Sequence, residues 1–452
     1  MYNVLNVTKL KVSPFLLVLA IFILVPGLTM ACGLSSKLVE QVQAAPTPVI
    51  TNGLIAYTGT DGNIYTIDHK GENRKALTQD ANLSPGQDET FRQYMYPTWA
   101  PDGIHLAFVE FSLSKVSNPH SQLLSVNAET LESIETFASD DFFPFYLYWS
   151  PDSQKISFLS NGAAQGDLAL NLAFADASQY QVVDKGQPYY WAWSPDGKEI
   201  ITHTGGSIGD NPEAKLALLP MQDPYLSQNL DLHPSFFQAP DWSPAGEAIA
   251  LSVQSENKGA LILLGISGGE RHTIAELDGP VTFAFSPDGK QLAYSVNSST
   301  RADQGYQDLY VVQLSQPEEK RLLTTQIILG FFWSPDSEHM ALFTPSGAGS
   351  GIQLTSLMQQ GPQGIKFDLG VIDLVNSKSR HLIAFAPTES FLSIFPYFDQ
   401  YQRSITIWSP DSREIVIASS EDKENPGIYV INALEGGDVR IATGDLAFWS
   451  WK

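Results

Sequence analysis

One short pattern recurs along this chain: an aromatic residue, a Ser-Pro-Asp-Gly turn and an apolar strand. The stretch FAFSPDGKQLAYSV, residues 283–296, shows the pattern in full. Near-copies begin at Trp99, Trp149, Trp193, Trp242, Trp333 and Trp408, and a last fragment, WSWK, begins at Trp449. A repeat constrains the fold more strongly than any single motif, because each copy must adopt the same local structure and pack on its neighbours.

The spacing of the copies indicates the architecture. With Phe285 as the anchor of its own copy, the anchors lie 41 to 50 residues apart, except that 75 residues separate Trp333 from Trp408. Apolar third and fourth strands follow, as in DLYVVQL (308–314) and KRLLT (320–324). A period in the forties built on strand, turn and strand is typical of a β-propeller. The sequence therefore predicts an all-β fold of four-stranded blades.

The two ends of the repeat region complete one another. The first unit, residues 52–78, has second, third and fourth strands but no aromatic first strand. The C-terminal LAFWSWK, residues 446–452, supplies a first strand with nothing after it. Pairing them removes two open sheet edges that would invite aggregation. We expect a single propeller domain over residues 52–452, with eight blades closed in this way; seven blades are the alternative.

The turn residues have a structural explanation. Proline fixes φ, aspartate accepts backbone N–H bonds, and glycine takes the position after it. Ser153, Ser337 and Ser412 replace the glycine, and Ala245 replaces one aspartate. A turn tolerates such changes better than a metal site does. We therefore assign a structural role in the repeat to Trp99, Asp102, Trp149, Asp152, Trp193, Asp196, Trp242, Phe285, Asp288, Trp333, Asp336, Trp408, Asp411 and Trp449.

The N-terminal region has the features of an export signal. Lys9 and Lys11 precede an apolar run over residues 15–25, which is too short for an ordinary membrane span. The run leads into LTMACG, residues 28–33, which contains the only cysteine of the chain, Cys32. This arrangement resembles a bacterial lipoprotein signal, in which the cysteine carries the lipid.

These features predict the organisation of the first 51 residues. A signal peptide would span residues 1–31, and residues 32–51 would form a lipidated N-terminus and a flexible tether. The protein would then be extracytoplasmic and anchored to the cell membrane by its lipid alone. A plain secretory signal cleaved near Ala44 is the alternative, and it would give a secreted or periplasmic protein.

Charge and composition exclude several classes of partner. The formal net charge is −23, which would repel nucleic acid and anionic lipid surfaces. A single cysteine allows no disulfide within the chain. The eight histidines are scattered, so we expect no metal and no cofactor.

The repeat resembles a known group of proteins. The W-S-P-D-G turn, the apolar strand after it and the tail DGNIYTIDHKGENRKALT, residues 61–78, look like the TolB-like family of β-propellers, whose unit is called a PD-type or WD-like repeat. The resemblance covers about residues 50–452. It implies either a protein-binding module at the bacterial cell envelope or the non-catalytic, substrate-gating half of a prolyl-oligopeptidase-type peptidase.

The sequence argues against an enzyme. A peptidase would need a Gly-x-Ser-x-Gly elbow and a hydrolase domain, and SGAGSG at 346–351 lacks that spacing. A sialidase-type repeat places tryptophan after aspartate, whereas here tryptophan comes first. We expect no catalytic residues. The alternative is a peptidase-associated or hydrolase-like propeller with an active or glycan-binding site in the central channel.

The long loops indicate where binding would occur. In a propeller the second-to-third and blade-to-blade connections share one face, and the long segments of this sequence fall mainly there, including the insertion 386–402. We expect this long-loop face to bind a protein or peptide at the cell envelope, and the protein to be monomeric. The candidate binding residues are aromatic side chains in these loops: Phe142, Phe143, Phe145, Tyr189, Tyr190, Phe236, Phe237, Phe395, Tyr397, Phe398 and Tyr401.

Overall fold

The fold is a ring of antiparallel β-sheets. The computed structural model describes residues 52–86, 89–115, 117–161, 168–255, 258–267, 269–298, 305–347, 365–422 and 424–452. The regular structure in these ranges is almost entirely β-strand, arranged in eight sheets that form a β-propeller. The prediction of an all-β fold with eight blades is confirmed. The predicted signal peptide, Cys32 and the predicted tether lie outside the described residues.

The first blade joins the two ends of the propeller. The C-terminal strand, β31 Leu446–Trp449, pairs antiparallel with β1 Ile55–Thr58. The register places Ile55 opposite Trp449 and Ala56 opposite Phe448. This pairing confirms the predicted closure. The strands of blade 1, from the channel outward, are β31 Leu446–Trp449, β1 Ile55–Thr58, β2 Ile64–Ile67 and β3 Lys75–Ala76.

The next three blades follow in chain order, each with its first strand at the channel. Blade 2 contains β4 Phe91–Trp99, β5 His105–Leu113, β6 His120–Asn127 and β7 Ser133–Ser139. Blade 3 contains β8 Pro144–Trp149, β9 Lys155–Asn161, β10 Leu168–Phe174 and β11 Tyr180–Gly186. Blade 4 contains β12 Tyr189–Trp193, β13 Glu199–Thr204, β14 Lys215–Pro220 and β15 Gln228–Asn229.

The remaining blades repeat this order. Blade 5 contains β16 Asp241–Trp242, β17 Ala248–Ser255, β18 Lys258–Gly265 and β19 Arg271–Leu277. Blade 6 contains β20 Val281–Phe285, β21 Gln291–Val296, β22 Gln307–Gln313 and β23 Lys320–Thr324. Blade 7 contains β24 Gly330–Trp333, β25 His339–Pro345, β26 Phe367–Asp373 and β27 Lys378–Phe385. Blade 8 contains β28 Glu414–Ser419, β29 Gly427–Asn432 and β30 Asp438–Thr443, and its channel side is marked by the bridge of Trp408 to Ile415.

The hydrophobic core lies between neighbouring blades. One buried cluster, for example, joins Val109 and Leu123 of blade 2 to Trp149 and Phe158 of blade 3. The second strands are apolar at nearly every position because a blade has a neighbour on each side, as in EIVIAS of β28, where every residue after Glu414 is buried. Each blade therefore depends on its neighbours for burial.

The anchoring tryptophans also hydrogen-bond across blade junctions. The indole Nε1 of Trp149 donates to the backbone carbonyl of Thr98 at 2.9 Å, and that of Trp408 donates to Phe332 at 3.1 Å. In each case the acceptor directly precedes the anchor of the preceding blade. Trp242 departs from this pattern, since its Nε1 is buried and has no hydrogen-bond partner among the described residues.

The repeated Ser and Asp of the turn serve its backbone. In the turn of blade 3, Ser150 Oγ donates to Asp152 Oδ1 at 2.5 Å and accepts from Lys155 N at 2.9 Å, while Asp152 Oδ1 also accepts from Gln154 N at 3.0 Å. These bonds to the ionised carboxylate hold the pKa of Asp152 below its ordinary value, against the opposing effect of burial. The same Ser-to-Asp bond occurs in four other turns, at Ser194–Asp196, Ser286–Asp288, Ser334–Asp336 and Ser409–Asp411.

The serines that replace glycine in three turns form hydrogen bonds between blades, which the sequence did not predict. Ser153, Ser337 and Ser412 adopt positive φ angles of 59°, 64° and 62°. Each hydroxyl accepts a bond from the aspartate backbone N–H of the preceding blade's turn. The pairs are Asp102 to Ser153 at 3.1 Å, Asp288 to Ser337 at 3.0 Å and Asp336 to Ser412 at 3.0 Å. The strain of the left-handed conformation is thus offset by a bond between blades.

Candidate functional site at the mouth of the channel

The insertion between blades 7 and 8 folds into short helical turns. Helix α1 spans Glu389–Leu392, a 3₁₀ turn spans Phe395–Tyr397, and helix α2 spans Phe398–Tyr401. Thr388 caps α1, its Oγ1 accepting from Phe391 N at 3.2 Å. A polar cap followed by a helical run indicates a helix start from neighbouring residues alone. The contacts of the segment depend instead on residues far away in the sequence. We call residues 386–402 the channel insertion.

Gln400 joins the channel insertion to blades 3 and 4. Its side-chain Nε2 donates to Tyr146 Oη at 2.7 Å and to the Trp191 carbonyl at 2.8 Å, and its Oε1 accepts from Trp191 N at 3.2 Å. Tyr146 Oη in turn donates to the Gln400 carbonyl at 2.6 Å. Gln400 is buried, and both the oxygen and the nitrogen of its side-chain amide are hydrogen-bonded.

Two charged residues, Asp399 in the insertion and Arg403 just after it, extend the attachment to blades 5 and 6. Asp399 Oδ2 accepts from Ala239 N at 3.1 Å. Next to the insertion, Arg403 donates from Nη2 to the Phe283 carbonyl at 2.9 Å and lies 3.4 Å from Asp241 Oδ1. Burial raises the pKa of Asp241 to about 6, although Arg403 and the bond from Phe285 N oppose the rise. Burial also raises the pKa of Asp399.

The other side of the channel insertion reaches blades 7, 8 and 1. The Phe398 ring packs edge-on against Phe331 of β24, with centroids 5.6 Å apart. Thr388 Oγ1 donates to the carbonyl of Asp445 at 2.5 Å, and Ser390 Oγ donates to its carboxylate Oδ2. Asp445 lies between β30 of blade 8 and β31 of blade 1. Residues 386–402 are therefore bonded to the inner rim of most of the ring.

A cavity remains where the channel insertion meets blades 1, 2 and 3. Its volume is about 550 Å³. We call it the mouth cavity. Its described lining includes Thr58, Tyr96, Tyr146, Glu389, Tyr401 and Asp445. It opens on the long-loop face, because it is bordered by the blade-to-blade connections and not by the Ser-Pro-Asp-Gly turns.

Two backbone irregularities direct aromatic rings toward this cavity. Tyr96 and Tyr146 both adopt positive φ, at 60° and 49°, and each lies where the pairing register of its strand shifts. They occupy equivalent positions, three residues before Trp99 and Trp149. A bulge with a bulky residue in the left-handed region is uncommon and marks a place where the backbone is bent to aim a side chain. The Tyr146 ring meets Tyr401 edge-on, with centroids 4.8 Å apart.

The mouth cavity carries uncompensated negative charge. Burial raises the pKa of the Asp445 carboxyl; the hydrogen bond from Ser390 opposes this rise and the nearby Glu389 adds to it. Among the described residues that line the cavity, none is Lys, Arg or His. The site can therefore attract a cation, and an anion would be repelled from it.

The structure disperses the aromatic residues that the sequence grouped as a candidate face. Tyr189, Phe395 and Phe398 are buried in the core, so a partner cannot reach them in the folded protein. Tyr401 lines the mouth cavity. Tyr397 is 53% exposed. The remaining rings are partly buried and pack at blade junctions. Four of them join core clusters, namely Phe142, Phe143, Phe145 and Phe236. Tyr190 stacks on Phe237 at a centroid distance of 4.2 Å.

Several residues of the site were missed by the sequence reasoning. Asp445, Glu389, Thr58, Tyr96 and Gln400 carry no motif. A weak signal existed for Tyr96 and Tyr146, since both precede their anchoring tryptophan by three residues. The position of Cys32 lies outside the described residues. Within the described ranges, no group of three or more His, Cys, Asp or Glu side chains could hold a metal ion, and no helix is long and apolar enough to cross a membrane.

Comparison with known proteins shows a fold and no family. No family model matches the chain, and no curated protein matches it significantly. Solved structures do match. A prolyl endopeptidase structure is similar with a TM-score of 0.54 at 10% identity, covering 78% of this chain and 50% of that one. This chain thus corresponds to half the length of that endopeptidase.

Two further similarities are lower in TM-score. TolB from Acinetobacter baumannii has a TM-score of 0.39 at 13% identity, covering 80% of this chain and 82% of that one. An oligogalacturonate lyase from Vibrio parahaemolyticus has a TM-score of 0.48 at 15% identity, covering 85% and 98%. At these identities the likeness concerns fold alone. The chain is a β-propeller, and the proteins it is similar to include both TolB proteins and enzymes.

Proposed function

We propose that this protein is a non-catalytic, membrane-anchored, extracytoplasmic propeller of the TolB-like type that binds a protein or peptide through its long-loop face. The observation that carries the proposal is the mouth cavity beside the channel insertion. The insertion occupies the inner rim of the ring, while the cavity opens on the face that gathers the long connections. A rigid scaffold that presents irregular loops around a concave site is a common design for binding.

Exposed apolar side chains on the same face support this interpretation. Tyr397 is 53% exposed, Leu113 at the end of β5 is 44% exposed, and Leu83 between blades 1 and 2 is 39% exposed. Leu83 also lines the mouth cavity. Tyrosine and leucine around an aromatic pocket provide the apolar contact area that protein interfaces use. The resemblance of the repeat to TolB-like propellers is in keeping with a binding role.

Site-specific crosslinking in living cells tests the proposal. A photoreactive amino acid is placed at Tyr397, Leu83 or Leu113 of the full chain. Matched variants carry it at Val375, Leu434 or Leu226, which lie in connections between third and fourth strands on the opposite face of the propeller. We expect a discrete protein adduct of constant size from the long-loop positions only. Point positions are preferable to removal of residues 386–402, because the deletion would break bonds to the inner rim of most blades.

Fractionation of the same cells tests the location. The adduct and the free protein should both be recovered in the membrane fraction, and a Cys32→Ala variant should be released from it. Adducts from Val375, Leu434 or Leu226 alone, or no adduct from any position, would contradict binding through the long-loop face. Recovery of the Cys32→Ala variant in the membrane fraction at the wild-type level would contradict the lipid anchor.

A further inference from the structure

The mouth cavity combines aromatic walls with a carboxylate that has a free oxygen. Asp445 Oδ2 accepts from Ser390 Oγ, whereas Oδ1 makes no hydrogen bond within the described part of the chain. Tyr146 and Tyr401 meet edge-on at 4.8 Å, and Tyr96 lies on the same lining. Aromatic rings beside a carboxylate attract an organic cation, because ring faces and carboxylate oxygens are both negative.

A second polar atom at the cavity lacks a partner. Thr58 Oγ1 is buried and has no hydrogen bond among the described residues. Thr58 is adjacent to Asp445, whose backbone N–H donates to the Thr58 carbonyl at 2.9 Å. Both residues line the cavity. A buried hydroxyl without a partner is uncommon in folded proteins. Rotation of the Thr58 side chain toward the cavity would let a donor on a ligand there remove the deficit.

Among the described residues, the remaining charges around the cavity do not supply a cation. Glu389 is exposed at the rim and adds a second negative charge. The nearest arginine along β4, Arg92, is already paired with Asp80 and with Glu110 Oε1, the latter at 2.9 Å. The carboxylate of Asp445 is therefore compensated only by the Ser390 hydroxyl in the described structure.

We propose that the mouth cavity binds a primary ammonium group, carried by the N-terminus or a lysine side chain of the peptide partner, an inference that rests on the proposed function. The ammonium donates to Asp445 Oδ1 and Thr58 Oγ1, and its stem packs among Tyr96, Tyr146 and Tyr401. A guanidinium fits less well, because arginine favours two parallel bonds to a carboxylate and Asp445 offers one free oxygen.

Ligand-observed NMR with defined probes tests this inference on the purified propeller at pH 7. The probes are n-butylamine with n-butanol as its uncharged match, and the tripeptide amide Ala-Phe-Ala with its N-acetylated form. We expect n-butylamine and the free tripeptide to bind and to compete with each other. The uncharged probes should bind at least about tenfold more weakly, and binding of the charged probes should weaken as salt is added.

Matched variants locate the binding. Asp445→Asn keeps the size of the side chain and an oxygen for Ser390, and it should raise Kd for n-butylamine at least about tenfold. Glu389→Gln, at an exposed side chain, should raise Kd a few-fold. Asp141→Asn makes the same charge change at an exposed loop residue of the long-loop face and should leave Kd unchanged.

The outcomes separate this inference from the proposed function. Equal affinity of the free and acetylated tripeptides, or equal effects of Asp445→Asn and Asp141→Asn, would overturn the ammonium site even if Tyr397 still yields an adduct in cells. Specific n-butylamine binding that Asp445→Asn abolishes would support the ammonium site even if crosslinking fails. In that case the peptide partner is wrong and a free amine is the ligand.

Discussion

The indole Nε1 of Trp99 donates a 3.2 Å hydrogen bond to the backbone carbonyl of Phe448, 349 residues later in the chain. Trp149 makes the same bond to Thr98 in the preceding blade, as does Trp333 to Ala284. The seam between the first and last parts of the propeller is thus built from the contact used between consecutive blades. The ring is closed by β-pairing and by this repeated indole bond.

The first prediction concerns the indole bond at the seam. Trp99→Phe should lower the free energy of unfolding by more than the loss of ring area alone, because the hydrogen bond from the indole to the buried carbonyl of Phe448 is lost at a further cost of about 1 kcal/mol. Trp242→Phe is the matched control, since Trp242 Nε1 has no partner among the described residues. Urea unfolding of both variants measures the difference. Equal losses would show that the indole bond contributes nothing at the seam.

The second prediction concerns the serines that replace glycine in the turns. Ser337→Ala removes the bond from Asp288 N but keeps a side chain at φ 64°, so the variant should be less stable by about 1 kcal/mol. Ser337→Gly loses the same bond and also relieves the strain of a positive φ, so it should be closer to the wild type. Thermal and urea unfolding of the two variants measure this order. A glycine variant less stable than the alanine variant would contradict it.

The third prediction concerns the attachment of the channel insertion. Gln400→Ala should lower the free energy of unfolding by about 2 to 4 kcal/mol, because the buried backbone N–H and carbonyl of Trp191 lose their bonds to the amide. Tyr146 Oη also loses the amide donor, although it keeps its own bond to the backbone carbonyl of position 400. It should also speed limited proteolysis within residues 386–402. Tyr397→Ala, at an exposed ring of the same insertion, should change stability by less than about 1 kcal/mol. Similar cleavage rates for the two variants would refute the role given to Gln400.

The fourth prediction concerns pH. The pKa of Asp241 in the folded protein is about 6, above the ordinary value of 3.8. As pH rises from 4 to 7, the unfolded chain loses this proton before the folded protein does, so ionisation of Asp241 progressively favours unfolding. The contribution over this window is about 2 kcal/mol. Relative to the wild type, Asp241→Asn should therefore gain about that much free energy of unfolding between pH 4 and pH 7.

An exposed turn residue is the control for this measurement. The bonds from Lys198 and Ser194 lower the pKa of Asp196 to about 2. Its ionised form is thus favoured in the folded protein, and the stability it contributes is present above the ordinary pKa and lost as pH falls toward 2. Asp196→Asn should therefore show no gain between pH 4 and pH 7. Urea unfolding at pH 4, 5, 6 and 7 gives the free energy of unfolding of each protein as a function of pH. If these curves ran parallel for Asp241→Asn and the wild type, the Asp241 prediction would be wrong.

Much of the fold could be predicted from local patterns. The Ser-Pro-Asp-Gly turn requires only neighbouring residues, since Ser150 and Asp152 bond within their own turn. Repetition at a fixed period then indicates blades, because each copy has the same two apolar faces to bury. The pairing of Ile55 with Trp449 followed from the missing strand at one end and the surplus strand at the other.

The candidate site was far less predictable. The aromatic loop residues were grouped by composition, but burial depends on distant neighbours: Phe398 is buried because Phe331 of another blade lies beside it. Tyr397, the residue before it, points outward and is 53% exposed. No sequence pattern distinguishes the two, since both belong to an insertion without the periodicity of the repeat.

The amino-acid sequence by itself determined the four-stranded blade and the way the ring closes, because these follow from short-range turn chemistry repeated along the chain. It favoured eight blades over seven, and the structure decided between the two numbers. Only the tertiary structure decided that the channel insertion covers the inner rim and that Asp445 and Thr58 share a cavity with Tyr146. Those residues are brought together by hydrogen bonds and burial between segments far apart in sequence, such as Gln400 with Trp191. Such contacts depend on three-dimensional packing, which local patterns do not encode.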